Sequence, residues 1–126
     1  MAATNAAPTE TPTAAAFARH LRAFASADVD ALLRDYTHES AILTPDGTFR
    51  GPEQIRAFFT QVMAMFPAEG TVFDIKRQEV EGDVAYLVWS ASTPVVEVPL
   101  AADTFVFRNG RIAVQTFGGQ ILPRAT

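Results

Sequence analysis

Residues 84–92 read Val-Ala-Tyr-Leu-Val-Trp-Ser-Ala-Ser. Nine residues without proline or glycine, rich in valine and aromatics and preceded by the turn pair Gly82-Asp83, predict a β-strand. An antiparallel strand with one wetted face alternates between apolar and polar residues. This strand is apolar on both faces: Tyr86 and Val88 point one way, and Ala85, Leu87 and Trp89 the other. Both faces therefore lose water. One must meet helices, and the other needs a second cover, for which a partner subunit is the simplest candidate.

Outward from this strand the chain reads as a meander. Thr71–Glu81 is a strand ahead of the Gly82-Asp83 turn, and Asp103–Arg108 and Arg111–Phe117 are two more, joined by Asn109-Gly110, where both residues tolerate positive φ. Between Ser92 and Asp103, Pro94 and Pro99 predict a looser stretch, because proline cannot donate to a sheet ladder. Upstream, Thr13 caps a first helix reaching about Ser26, with Phe17, His20, Leu21 and Phe24 on one face. Asp28 caps a second helix that buries Val29, Leu32, Leu33 and Tyr36. Ser40–Thr44 is a short strand, Pro45-Asp46-Gly47 turns it, and Thr48–Arg50 pairs back. Gly51-Pro52-Glu53 opens a third helix, whose apolar face is Ile55, Phe58, Phe59, Val62, Met63 and Phe66. Helices early and antiparallel strands late give an α+β fold: three N-terminal helices cover one face of a curved sheet, and the tapering space between them is a small-molecule pocket.

The 126 residues, 48% of them hydrophobic, make one domain over 14–122, with loose tails at 1–13 and 123–126. A net charge of −4 and scattered basic residues, among them a single lysine, Lys76, argue against nucleic acid. There is no cysteine, and two histidines with no acid cluster at ligand spacing predict no metal. Neither a phosphate-cradling glycine loop nor a nucleophilic serine motif is present, so no cofactor is expected. The first basic residue is Arg19, and no apolar run approaches the roughly 18 to 20 residues that cross a bilayer, so the expectation is a cytoplasmic protein without a membrane partner.

Several strings carry a family likeness: Ala27-Asp28-Val29-Asp30-Ala31-Leu32-Leu33, Tyr36 through Thr44, Thr44-Pro45-Asp46-Gly47 with Phe49-Arg50-Gly51-Pro52, Ile55-Arg56-Ala57-Phe58-Phe59, and Asp103-Thr104-Phe105-Val106-Phe107 with Asn109-Gly110-Arg111-Ile112. With these the chain resembles the NTF2-like superfamily, and within it the SnoaL-like and ketosteroid-isomerase-like proteins, over about residues 14 to 121. The resemblance implies an NTF2-like (cystatin-like) cone of curved antiparallel or mixed sheet around three helices, a ligand site inside the cone, and a homodimer through the outer sheet face. Fold likeness of this kind does not choose among isomerases, cyclases, hydrolases and plain binding proteins.

Asp103 is the sharpest chemical candidate. It shares a strand face with Phe105 and Phe107, where lost hydration favours the neutral acid, which can donate a hydrogen bond to a substrate oxygen gaining charge. In ketosteroid isomerases an Asp at the matching place does this. His20 lies where those isomerases carry their oxyanion tyrosine, and imidazole can donate there or act as base. Tyr36 matches a supporting tyrosine, and Phe59 stands where a further one is expected. Thr44 departs from the pattern: it occupies the position of the isomerase Asp that moves the proton. The SnoaL-type cyclases rely on a last-strand carboxylate, and here that strand offers Gln115, Phe117 and Gly119. By strand parity, Tyr86, Val88 and Ser90 line the cone opposite Gln115 and Phe117, Met63 and Phe66 close its deep end, and Trp89 faces outward into the dimer interface. The expectation is a dimeric small-molecule-binding protein, either an isomerase, cyclase or dehydratase working by acid–base chemistry through Asp103 and His20, or a binding or dimerisation module that has lost the family's carboxylates.

Overall fold

The computed structural model describes residues 11–124, so most of the two expected tails, 1–10 and 125–126, lies outside the described residues. Helices α1 (Pro12–Ala25), α2 (Val29–Leu33) and α3 (Gly51–Met65) pack on one sheet of strands β1 (Tyr36–Thr44), β2 (Gly47–Arg50), β3 (Val72–Glu81), β4 (Val84–Ser92), β5 (Val96–Arg108), β6 (Arg111–Gly119) and β7 (Leu122–Pro123). The strand order is β2-β1-β6-β5-β4-β3, with β7 paired to β5. Only β1 and β6 run parallel, so the sheet is mixed and the fold is α+β.

Local chemistry explains the element ends. The Thr11 hydroxyl, not that of Thr13, caps α1, accepting the Ala14 N–H at 3.0 Å with Pro12 in the first turn. Asp28 caps α2 through the Ala31 N–H at 3.0 Å, as expected. That helix is shorter than expected and releases Tyr36 to β1. There the Ile112 N–H donates to the Asp35 carbonyl at 2.7 Å, and the Ser40 hydroxyl donates to the Ile112 carbonyl at 2.6 Å. Pairing with β6 overrides the helical spacing of Leu32, Leu33 and Tyr36, which nothing local could reveal.

β5 also runs longer than expected, through Pro99. Trp89 pairs with Ala101 and Ala91 with Val98, so Ser90 faces two residues, Pro99 and Leu100. This bulge places the proline where the ladder needs no donor.

Cross-strand partners share a sheet face, and the register assigns the faces. Ala85–Phe105–Gln115, Leu87–Asp103–Phe117 and Trp89–Ala101–Gly119 form the inner rows; Val84–Val106–Val114, Tyr86–Thr104–Thr116 and Val88–Ala102–Gly118 form the outer rows. The expected parity of β4 is therefore reversed. Trp89 is buried under the helices, while Tyr86, Val88 and Ser90 face outward. A strand that is apolar on both sides carries no signal for its direction, and here the pairing of Leu87 with Asp103 decides it. Phe17, Leu32, Ile42, Ile55, Phe59 and Ile112 are sealed in the core between helices and sheet, each contributing on the order of 1.5–3 kcal/mol by burial. No helix among the described residues is long and apolar enough to cross a membrane.

β6 leaves the sheet through a close approach. A Cβ on Gly119 would stand 2.8 Å from the Ala101 Cβ and 2.9 Å from the Leu100 carbonyl oxygen. Gly119→Ala should cost about 1–3 kcal/mol through overpacking, read as a lower urea midpoint at unchanged slope; an unchanged midpoint would contradict this packing.

Candidate functional site

The inner row Leu87–Asp103–Phe117 puts the Asp103 carboxyl in the middle of the cone, 7% exposed. Trp89 Nε1–H donates to its Oδ1 at 2.8 Å and Gln115 Nε2–H to its Oδ2 at 3.1 Å. The Tyr36 hydroxyl in turn donates to Gln115 Oε1. Burial drives the Asp103 pKa up; the Trp89 and Gln115 hydrogen bonds and the nearby His20 oppose this without cancelling it. Burial, reinforced by the charges of Asp35 and Asp103, holds the Tyr36 phenol well above its ordinary range, so it remains a donor.

The hydrogen-bond directions have a chemical consequence. A carboxylate only accepts, which requires Gln115 to turn its amide N–H toward Asp103 and its oxygen toward Tyr36. When Asp103 holds a proton it can donate, and a half-turn of the Gln115 amide reverses the chain without moving a heavy-atom position. The site therefore accommodates both protonation states of the carboxyl.

His20, on the buried face of α1, is 2% exposed. Its Nδ1 lies 3.0 Å from Oδ2 of Asp35, itself 2% exposed, and the other Asp35 oxygen accepts Arg19 Nε–H at 3.2 Å. Arg19 also donates to the Gly110 carbonyl at 3.2 Å, tying this pair to the β5–β6 hairpin. With the proton on Nδ1 toward Asp35, Nε2 carries the lone pair, and it has no hydrogen-bond partner among the described residues. The imidazole packs edge-on to Phe105 at 5.3 Å, Tyr36 at 5.8 Å and Phe59 at 6.4 Å.

Two cavities adjoin these groups. One of about 220 Å³ extends past Phe59, Val62 and Phe117 to a mouth at Thr44, Asp46 and Gln61. The other, of about 280 Å³, lies between α1 and the strands and is lined by His20, Leu21, Phe73, Leu87 and Phe105. Phe24, Trp89, Asp103 and Gln115 border both.

Of the residues expected in the site, Asp103, His20, Tyr36, Phe59, Phe105, Gln115 and Phe117 come together here. Thr44 reaches only the mouth, where its hydroxyl is occupied by the turn: it donates to the Gly47 carbonyl at 3.1 Å and accepts the Asp46 and Gly47 N–H groups at 3.1 and 3.2 Å. Met63 packs against the core but lines neither cavity, and Met65 and Phe66 stand in its expected place. Tyr86 and Ser90 are on the opposite side of the sheet and do not reach the cone. Two members of the site were not expected. Trp89 was missed through the reversed parity of β4. Asp35 was missed because no local pattern joins it to His20; only its place directly before the matched Tyr36 could have hinted at it. Among the described residues no cluster of three potential metal ligands occurs.

The profile of the family described as SnoaL-like domain matches residues 17–115. No curated protein matches the chain. Among solved structures, an NTF-2 like protein of unknown function from Burkholderia xenovorans is 20% identical with a TM-score of 0.71, covering 91% of this chain and 88% of its own. A candidate polyketide cyclase from Sinorhizobium meliloti is 18% identical, TM-score 0.68, over 82% and 93%. A cystatin-fold protein from Novosphingobium aromaticivorans is 16% identical, TM-score 0.69, over 86% and 98%. At these identities the likeness is one of fold: this chain has the cystatin-like, NTF2-like cone.

The raised pKa of Asp103 makes a prediction about stability. The folded state keeps a proton that the unfolded chain has lost above about pH 4, so this contribution is present in full at low pH and fades as pH rises through the folded-state pKa. Asp103→Asn removes the effect. Urea titrations in a pH series should show the variant gaining on wild type as pH rises toward neutrality; parallel curves would rule out a raised folded-state pKa.

Proposed function

The chain belongs to the SnoaL-like domain family of the NTF2-like superfamily, and on that premise we propose that residues 14–122 bind a small, mostly apolar, oxygen-bearing molecule in the cone and act on it by acid–base chemistry without a cofactor. Isomerisation, cyclisation and dehydration are the reactions this chemistry serves. One observation carries the reading: a carboxyl with a raised pKa shares an aromatic-lined hollow with a buried imidazole whose Nε2 is unpartnered.

Each residue then has a role. Neutral Asp103 donates its O–H to a substrate oxygen that gains negative charge, and the N–H groups of Trp89 and Gln115 stabilise the carboxylate if the proton is transferred. His20 Nε2 takes the proton from a carbon beside that oxygen. Asp35 orients the imidazole through its Nδ1. The polyketide cyclase likeness is compatible with such enolate chemistry and goes no further.

A non-catalytic module is the second reading. Thr44 cannot replace a carboxylate base and its hydroxyl is committed to the turn, while the inner residues of β6 include no acid. Under either reading we place the protein in the cytoplasm as a homodimer through the outer face of β4–β6, on the Tyr86 side and not the Trp89 side. The three outer rows contain no charged residue, and Val84, Val88, Val106 and Val114 remain partly exposed there.

The ketone 2-acetylnaphthalene, whose oxygen can only accept, probes the acid. Quenching of the single tryptophan, Trp89, should report an affinity that falls as pH rises through the Asp103 titration, and Asp103→Asn should flatten that profile; a flat wild-type profile defeats the proton-donor role. The ketone 2-tetralone separates enzyme from module. Deuterium exchange at its activated carbon should run above the buffer rate and drop about 10²–10⁴-fold in His20→Ala, whereas binding without exchange selects the module. Sedimentation equilibrium should find a wild-type dimer that Thr104→Arg converts to monomer, and a monomeric wild type refutes the outer-face interface.

A further inference from the structure

The two cavities lie side by side and share part of their lining. Each is smaller than the roughly 300–1,000 Å³ usual for a small-molecule pocket, and together they fall within that range. They share four bordering residues, and two of these, Asp103 and Gln115, are polar. Away from that junction both are apolar: Phe58, Val62 and Met65 line one arm, and Leu21, Phe73 and Leu87 the other. The remaining polar groups of the first arm, Thr44, Asp46 and Gln61, stand at its mouth, where Asp46 and Gln61 are exposed. The second arm also includes His20, whose Nε2 has no hydrogen-bond partner among the described residues.

Trp89 borders the junction from the inner face of the sheet. Its ring lies 6.0 Å from Phe66 and 6.3 Å from Phe117 on the first side and 5.9 Å from Phe73 on the second, and its N–H is fixed on Asp103. Hydrogen-bonding capacity is therefore concentrated in the middle of the combined space, with greasy surface in both directions. A charged group among the apolar residues of either arm, away from His20 and Asp46, would lose its hydration.

We infer that the ligand is an elongated, uncharged molecule with two apolar arms, one in each cavity, flanking a central carbonyl or enol oxygen held between Asp103 and His20. This rests on the pocket reading above and narrows its substrate class. A molecule with its oxygen at one end could satisfy the junction only by leaving one cavity empty.

Two neutral ketones test it on the wild-type protein. The first, 1,3-diphenylpropan-2-one, has its oxygen between two phenyl arms; the second, 4-acetylbiphenyl, is also elongated but has its oxygen near one end. Trp89 quenching and calorimetry should give at least about tenfold tighter binding for the first, the value expected when a second phenyl ring is buried. Leu21→Phe and Val62→Phe each narrow a different arm, and both should weaken the two-armed ketone. Equal or tighter binding of 4-acetylbiphenyl overturns the inference and leaves the pocket reading standing. So does sensitivity of the two-armed ketone to only one variant, with circular dichroism confirming that both variants fold. If neither ketone binds, the inference and the pocket reading fail together.

Discussion

The structure is organised around a carboxyl in a place where a carboxyl is expensive. Asp103 sits among aromatic rings, and what makes it tolerable is that both oxygens are held, one by an indole N–H and one by an amide N–H. Those two donors come from the neighbouring strands β4 and β6, and Gln115 is held in turn by Tyr36 from β1. One polar chain therefore crosses four strands of the sheet. It fixes which way β4 faces, because Trp89 can reach Asp103 only from the inner side. With Trp89 turned in, the rows containing Tyr86, Val88 and Ser90 must turn out, and across β4–β6 their outer surface has no charged residue, bordered by Arg77 and Glu79 of β3.

A second buried clasp does for the helical layer what the first does for the sheet. Asp35 sits at the joint between α2 and β1, and it binds His20 and Arg19 from α1, while Arg19 reaches the β5–β6 hairpin. Helix, joint and hairpin are thus held at one point, and the imidazole is positioned with it. The two clasps differ in their dependence on protons. Around Asp103 the indole N–H of Trp89 always donates, but the Gln115 amide can turn from donor to acceptor, so the carboxyl can change state. Around Asp35 the guanidinium has no alternative to donating, so the orientation of the imidazole is fixed while its outer nitrogen remains free to act.

Much of the fold was legible in the sequence because it depends on local signals. The Asp28 cap, the Asn109-Gly110 hairpin, the Gly51-Pro52 helix start and the period of α3 each act over a few residues. Asp103 was legible as an inward-facing acid because it shares a strand face with Phe105 and Phe107. Apart from the α1 cap, which is Thr11 and not Thr13, the errors in the strands share one cause: each depended on a partner distant in the chain. Tyr36 left the helical pattern because β6 claims it, Pro99 stayed in β5 because a bulge absorbs it, and Trp89 turned inward because Asp103 lies opposite its strand. A residue apolar enough for either side of a sheet carries no vector, and only the register supplies one.

The loss of an acid at Thr44 looks at first like the loss of the reaction. The geometry suggests a different outcome for the proposed chemistry. Thr44 stands at the mouth of the first cavity, fully engaged by its turn, while His20 stands in the second cavity with a free nitrogen. Asp103 borders both. A substrate oxygen held by Asp103 could present its neighbouring carbon to either side: the buried base candidate is His20 on the α1 side, while the carboxylate of the first cavity, Asp46, stands at its exposed mouth. Removing the carboxylate from β1 and fixing an imidazole with Asp35 on α1 would move proton abstraction across the ligand without moving the acid. That arrangement would favour a substrate with an activated carbon facing α1, the side on which Asp35 holds the His20 imidazole.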